Sequence, residues 1–135
     1  MHRLISALVL ASCIGLLVPI ASAQRGPADR ARARALYDEA LTHYRAGRFD
    51  ESATLLQEAR GLYPEPILTY NLARVLEALG DVDGAIGMYR EYLAEAPSAP
   101  DARAVRELVS SLERTRDALR AASAREGGSS ASALG

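Results

Sequence analysis

The chain has no lysine and no tryptophan, one cysteine, two histidines and one phenylalanine. A lone cysteine cannot close an internal disulfide and cannot supply a multi-cysteine zinc site. Sixteen arginines face seventeen carboxylates, giving a formal charge of -1, so there is no electrostatic case for a nucleic-acid partner. No Gly-x-Ser-x-Gly elbow or other nucleophile signature occurs. The length of 135 residues leaves room for one small domain. What the chain does have is alanine, 26 residues of it, with glycine and proline gathered at a few places. That composition predicts helices with sharp punctuation.

Met1, His2 and Arg3 form a short basic start, and the run from Leu4 to Gln24 carries no charge. It ends in Ala21-Ser22-Ala23, with small residues at the positions a signal peptidase reads. The expectation is an exported chain, cleaved after Ala23, that begins at Gln24 and is periplasmic or secreted. Two alternatives stay open. The apolar run is long enough to be retained as a membrane anchor. Leu10-Ala11-Ser12-Cys13 also matches the lipoprotein signal in which the cysteine is lipidated. Membrane association is expected only in those two cases.

Past a polar lead over 24–32, where Asp29 is placed to cap the next segment, apolar and small residues recur at helical spacing. Ala33, Leu36, Tyr37, Ala40, Leu41 and Tyr44 mark one helix, stopped by Gly47. Phe49-Asp50-Glu51 opens a second, with Ser52, Leu55, Leu56 and Ala59 on one face, closed between Gly61 and Pro64. A third starts near Glu65-Pro66 and carries Leu68, Leu72, Ala73, Val75, Leu76 and Leu79 before Gly80. A fourth spans Asp83 to Glu95 and stops at Pro97.

The first pair of helices superimposes on the second at an offset of 33 residues. Tyr37 meets Tyr70, Ala40 meets Ala73, Gly47 meets Gly80, Asp50 meets Asp83, Ser52 meets Ala85 and Pro64 meets Pro97. Helical periodicity alone would not bring a Gly, a Pro and an Ala into register together. A period of this length marks a repeat architecture.

The run from Tyr70 to Ile86, with Ala73, Gly80, Asp81-Val82-Asp83 and Ala85, resembles the tetratricopeptide repeat. Leu36, Ala40, Gly47-Arg48-Phe49-Asp50-Glu51, Leu56, Ala59 and Pro64 resemble it more loosely. Ser52 stands where alanine is usual, Glu39 where leucine is usual and His43 where a large apolar residue is usual. The resemblance covers 33–98, as repeats over about 33–65 and 66–98. It implies an all-α fold: a right-handed α-solenoid of two helix-turn-helix repeats plus a C-terminal capping helix. The combination with an export segment is similar to small bacterial envelope members of that family.

Each signature position has a physical reason. Ala40, Ala73 and Ala85 are small where two helices cross closely. Gly47 and Gly80 suit the left-handed residue of a short helix-helix turn. Pro64 and Pro97 end second helices, lacking an N–H and clashing with the turn before. The exposed flank of repeat 2 needs a cover. Ala102, Val105, Leu108, Val109, Leu112, Thr115 and Leu119 form an amphipathic stripe that predicts a capping helix over 99–122. The small-residue segment 123–135 reads as a disordered tail.

No residue set supports catalysis, a metal or a cofactor. His43 is the only histidine beyond the export segment, and a packed or half-exposed place in its helix accounts for it. Gly80-Asp81-Val82-Asp83-Gly84 lacks the twelve-residue pattern of a calcium loop. Asp38-Glu39 and Asp50-Glu51 read as solvated helix faces. The expected role is therefore non-enzymatic binding of a protein or peptide partner, with no nucleic acid. The alternatives are an oligomerising accessory of an envelope assembly, which an exposed apolar stripe on the last helix would favour, and a small-ligand binder or enzyme.

The resemblance places the binding surface on the first helix of each repeat, as a concave face. Arg34, Tyr37, Leu41, Tyr44, Tyr70, Asn71 and Arg74 are the candidate partner-binding residues. Arg45, Ile67, Glu77, Arg103, Glu107 and Ser110 would extend the surface. Some members clamp a terminal carboxylate with a lysine, asparagine and arginine set. Asn71 keeps one such position, whereas Tyr37, Leu41, Pro100 and Ala104 replace the others, so that mode is not expected.

Overall fold

Five helices account for residues 26–132, the part of the chain that the computed structural model describes. They are α1 (Pro27–Arg45), α2 (Phe49–Leu62), α3 (Pro66–Ala78), α4 (Val82–Glu95) and α5 (Ala102–Ser132). The apolar run 4–23, the cleavage site after Ala23, Cys13 and residues 133–135 lie outside the described residues. None of the described helices is long and apolar enough to cross a membrane.

Each helix packs on the one before it, α1 on α2, α2 on α3, α3 on α4 and α4 on α5. The result is an all-α solenoid of two helical hairpins with a fifth helix as cap. The two hairpin turns are built alike. Gly47 and Gly80 are the only described residues with positive φ, at +73° and +80°. In the first turn the Gly47 N–H donates to the Tyr44 carbonyl and the Arg48 N–H to the His43 carbonyl, each at 3.0 Å. In the second, Gly80 donates to Glu77 at 3.0 Å and Asp81 to Leu76 at 2.9 Å, the same pair of bonds one repeat on. Orphan carbonyls of the first helix are satisfied in this way, at a backbone conformation that costs glycine little.

At the crossings Ala40, Ala73 and Ala85 are fully buried. Ser52, which replaces the alanine of the second repeat, is also buried, and its hydroxyl donates to the Ala40 carbonyl at 2.9 Å. A polar atom at a closed crossing is thus provided with a partner, as buried polar groups require. Pro64 and Pro97 stand in the connections just past α2 and α4.

Two apolar clusters follow from this stacking. Leu56, Leu68, Leu72 and Val75 close on Ala33, Ala40 and Ala59 between α1, α2 and α3. Ile86, Tyr89, Tyr92, Val105 and Val109 close on Ala73 and Ala85 between α3, α4 and α5. The Tyr92 hydroxyl donates to Asp101 across the α4–α5 connection. That hydrogen bond, with burial, pushes the Tyr92 phenol up to about 12.

Both ends of the stack differ from the sequence expectation. The lead before the first repeat, read as polar over 24–32, is helical from Pro27. Proline at the first helical position is already set for the helix, and the Asp29 carboxylate accepts the Gly26 N–H at 3.1 Å. At the other end α5 runs ten residues past the expected end at Ala122, so the tail read as disordered is helical over 123–132. No proline interrupts it, and Ala118, Ala121, Ala122 and Ala124 favour helix strongly enough for the helix to continue through the glycine pair 127–128.

The covering stripe of α5 is shorter than the apolar pattern. Ala102, Val105 and Val109 are buried and Leu108 and Leu112 half-buried, but Thr115 is exposed and Leu119 is 60% exposed. Beyond Leu112 the attachment to α4 is ionic. Arg90 of α4 pairs with Glu113, and Asp83 at the start of α4 holds Arg116 at 3.4 Å and Arg120 at 2.7 Å. The hydrogen bond to Asp117, with a smaller part from Asp83, raises the Arg116 guanidinium above its ordinary value.

Candidate functional site

On α1, Tyr37, Leu41 and Tyr44 recur at spacings of four and three, so they share one face. The structure sets that face beside α3. The Asn71 amide lies 3.5 Å from the Tyr37 hydroxyl, and the Arg74 guanidinium lies 3.5 Å from the Tyr44 hydroxyl. Arg74 also stacks on the Tyr44 ring, 5.3 Å from its centroid, and Phe49 meets that ring edge-on at 5.4 Å. Six of the seven candidate residues, Arg34, Tyr37, Leu41, Tyr44, Asn71 and Arg74, therefore line a single surface between α1 and α3.

Tyr70 does not join them. Its ring packs against Tyr89 at 5.8 Å and Tyr92 at 5.3 Å, in the cluster between α3 and α4. The tyrosine that aligns with Tyr37 in sequence thus fills space between helices of its own hairpin. The four-residue neighbour, Arg74, remains exposed on the α1–α3 face.

The charges on this face are not equivalent. Arg34 bonds Asp38 at 3.2 Å and lies over the Tyr37 ring at 5.8 Å. Arg74 has no carboxylate within ion-pair distance among the described residues. The nearest acid along its helix, Glu77, accepts a hydrogen bond from the buried Tyr89 hydroxyl at 3.0 Å. Burial and that bond to Glu77 push the Tyr89 phenol well above its ordinary range. Asn71 is 7% exposed, and its amide donates to the Ile67 carbonyl at 2.8 Å. It is committed to its own helix.

The face carries two hollows. One, about 340 Å³ and open, is bounded by Tyr44, Arg74, Glu77 and Ala78. The other is a cleft of about 320 Å³ at the opposite end, bordered by Arg34 and Tyr37 of α1, Ile67 of α3 and Tyr63 of the α2–α3 connection. Its floor is Ala33 and Leu68, both buried. Arg30 stacks on Tyr63 at 5.4 Å and pairs with Glu65 at 3.4 Å. Arg30, Tyr63 and Glu65 were not among the sequence candidates. They come from a loop and from the lead before the repeat, and only the helix start at Pro27 brings Arg30 over that loop.

The remaining surface candidates are engaged locally or stand apart. Arg103 pairs with Glu107 on α5 at 3.1 Å, and the Ser110 hydroxyl donates to the Arg106 carbonyl. Arg45 is exposed at the end of α1. His43 is held at the first turn, where Arg48 Nε donates to its Nδ1 at 3.0 Å. Among the described residues no group of three or more His, Cys, Asp or Glu side chains is placed to hold a metal ion.

Paired helices with matched glycine turns, small closed crossings and a capping helix define a helical-repeat scaffold. The tetratricopeptide repeat family model matches residues 37–100, from the middle of α1 to the connection before α5. The chain is similar to that family over this stretch. No curated protein matches it.

Proposed function

We propose that the chain is a protein-interaction module that binds an extended partner segment along the α1–α3 face, the concave side of a solenoid of this kind. The observation that carries the reading is Arg74. It is exposed, held in place by the Tyr44 ring and hydroxyl, and has no carboxylate of its own among the described residues. A guanidinium fixed in this way is pre-set for a carboxylate or backbone oxygen of a partner. Tyr37, Leu41 and Tyr44 offer ring and apolar contact beside it at low entropy cost.

The segment 1–23 supports a site of action outside the cytoplasm, because its uncharged run ends in Ala21-Ser22-Ala23. Mass spectrometry of the chain recovered from the bacterial envelope is expected to give Gln24 as the first residue. A lipid-modified Cys13 at the N-terminus would refute periplasmic release. The oligomerising alternative draws little from α5, where Leu119 alone is a strongly exposed large apolar residue.

The binding reading is tested with Arg74→Ala in the full chain. Its thermal melt is expected to stay within about 0.5 kcal/mol of the parent, as for other exposed positions. Affinity for a groove-binding peptide is expected to fall by about 1–3 kcal/mol, the worth of a charge-assisted bond. Unchanged affinity in Arg74→Ala and Tyr44→Ala together would move the binding surface elsewhere.

A further inference from the structure

The cleft beside Arg34 differs chemically from the Arg74 end of the same face, and the difference specifies a partner sequence. At the cleft both rim guanidinia already have carboxylates, Arg30 with Glu65 and Arg34 with Asp38. An acidic side chain entering there would lose hydration and find no unpaired cation, which is costly. Apart from those ion pairs, the cleft is lined by apolar groups. Ala33 and Leu68 form its floor, the Tyr37 and Tyr63 rings its walls, and Ile67, 46% exposed, its lip. Both arginines lie over ring faces, at 5.4 and 5.8 Å, so their outer planes are stacking surfaces for a further ring. At about 320 Å³ the cleft is at the small end of ligand pockets, which suits one large side chain better than a whole small molecule. Arg74, at the other end, has charge to spare.

We infer that the cleft is a specificity pocket for an apolar, preferably aromatic, side chain of the partner segment, and that this residue stands a fixed distance from an acidic residue that pairs with Arg74. The inference rests on the binding reading above. The spacing follows from helix geometry. Tyr37 and Tyr44 are seven residues apart on α1, which is about 10 Å at ~1.5 Å per residue. Ala33, on the cleft floor, is eleven residues from Tyr44, about 16 Å. An extended strand advances ~3.3 Å per residue, so the aromatic and the acid are separated by about three to five positions.

A random dodecapeptide library selected on the full chain supplies the probe. Enriched peptides are expected to share an aromatic or large aliphatic residue three to five positions from an Asp or Glu. One such peptide, and versions with the apolar residue changed to Ala or the acid to its amide, are then titrated against the parent, Ile67→Ser and Arg74→Ala. Ile67 is exposed, so its substitution leaves the fold standing. Ile67→Ser is expected to weaken the parent peptide roughly five- to twentyfold and the Ala-substituted peptide less than twofold, because each change removes the same contact. The acid-to-amide peptide is expected to be insensitive to Arg74→Ala in the same sense. Peptides that respond to Arg74→Ala but lack the apolar residue at that spacing, or bind Ile67→Ser as well as the parent, would overturn the pocket and leave the binding face intact. No enrichment, or peptides indifferent to both variants, would overturn the pocket and the face together.

Discussion

The two hairpins are close copies in backbone and unequal in burial. In the first, α1 buries only Ala33 and Ala40. In the second, its counterpart α3 buries Leu68, Thr69, Asn71, Leu72, Ala73 and Val75. The second helices differ in kind: α2 buries Ser52, Ala53, Leu56 and Ala59, whereas α4 buries Ile86, Tyr89 and Tyr92 beside Ala85. Position in the stack explains this. Among the described residues only α2 packs closely on α1, which leaves Arg34, Ala35, Asp38 and Glu39 exposed, while α3 lies between α2 and α4. Repeat proteins need such a polar outer face on a terminal unit. The edge hairpin therefore leaves more of its first helix exposed, and the inner hairpin buries more apolar surface.

Removing residues 102–135 should do the most to erase this difference, since it would make the second hairpin an edge as well. It strips Ala102, Val105, Leu108, Val109 and Leu112 from the second cluster, a loss of at least about 4 kcal/mol judged from ~25 cal/mol per Å² of apolar area. Urea denaturation is expected to show a marginal or unfolded chain. A melt equal to that of the full chain would mean that α5 covers nothing. Overpacking comes next. Ala73→Leu, at the enclosed crossing, is expected to cost about 1–3 kcal/mol, and Ala33→Leu, beside the open cleft, less than half as much. Equal costs would contradict the distinction between inner and edge hairpins.

A pH-dependent effect is expected from the inner hairpin. The Tyr92 phenol is raised to about 12 against an ordinary value of 10.0, so the folded state keeps its proton where the unfolded state has lost it. That stabilisation is complete below pH 10 and disappears as pH rises from there through about 12. Tyr89, raised by burial and Glu77, acts in the same direction. Chemical denaturation at pH 9 and pH 11 should differ more in the parent than in Tyr92→Phe, by roughly 1 kcal/mol. An identical pH slope in the two proteins would remove Tyr92 as the cause. The smallest effect belongs to the edge. Ser52→Ala gives the first repeat the residue of the second and deletes the bond to the Ala40 carbonyl, at an expected cost of about 0.5–1.5 kcal/mol in the same assay. A gain in stability would show that alanine is simply the better residue at both crossings.

The solenoid was legible in the sequence because its rules are local. Gly47 and Gly80 mark turns that need positive φ, and Ala40, Ala73 and Ala85 mark crossings that admit no larger side chain. Six candidate residues reach one face because spacings of three and four on α1 and α3 fix direction without further knowledge. Tyr70 misled because the same repeat position has a helix of its own hairpin on one side and the next helix of the stack on the other. Repeat alignment cannot say which a long ring will meet, and the tyrosine pair on α4 decided it. The cleft was only partly legible: Arg34, Tyr37 and Ile67 stood among the candidates, but Tyr63 and Glu65 come from a connection and Arg30 from ahead of the aligned repeat. The extent of α5 was misjudged for another reason: a glycine pair and small residues read as a break, although helix propensity opposes them by only ~1 kcal/mol per glycine.

The joint at Asp83 divides α5 into two exchange regimes. Up to Arg120 the helix is tied to α4 by apolar contacts and by paired guanidinia. From Ala121 to Arg125 the side chains are exposed, and the Ser123 hydroxyl bonds only the Leu119 carbonyl of the same helix. A free helical end of this length is marginal in water, with nucleation costly and few bonds to offset it. Its amide protons will therefore trade with deuterated solvent by fraying, at a rate blind to denaturant. Those between Val105 and Leu112 wait for the stack itself to open. One continuous helix would thus report two free energies, with the boundary set by a single aspartate on its neighbour.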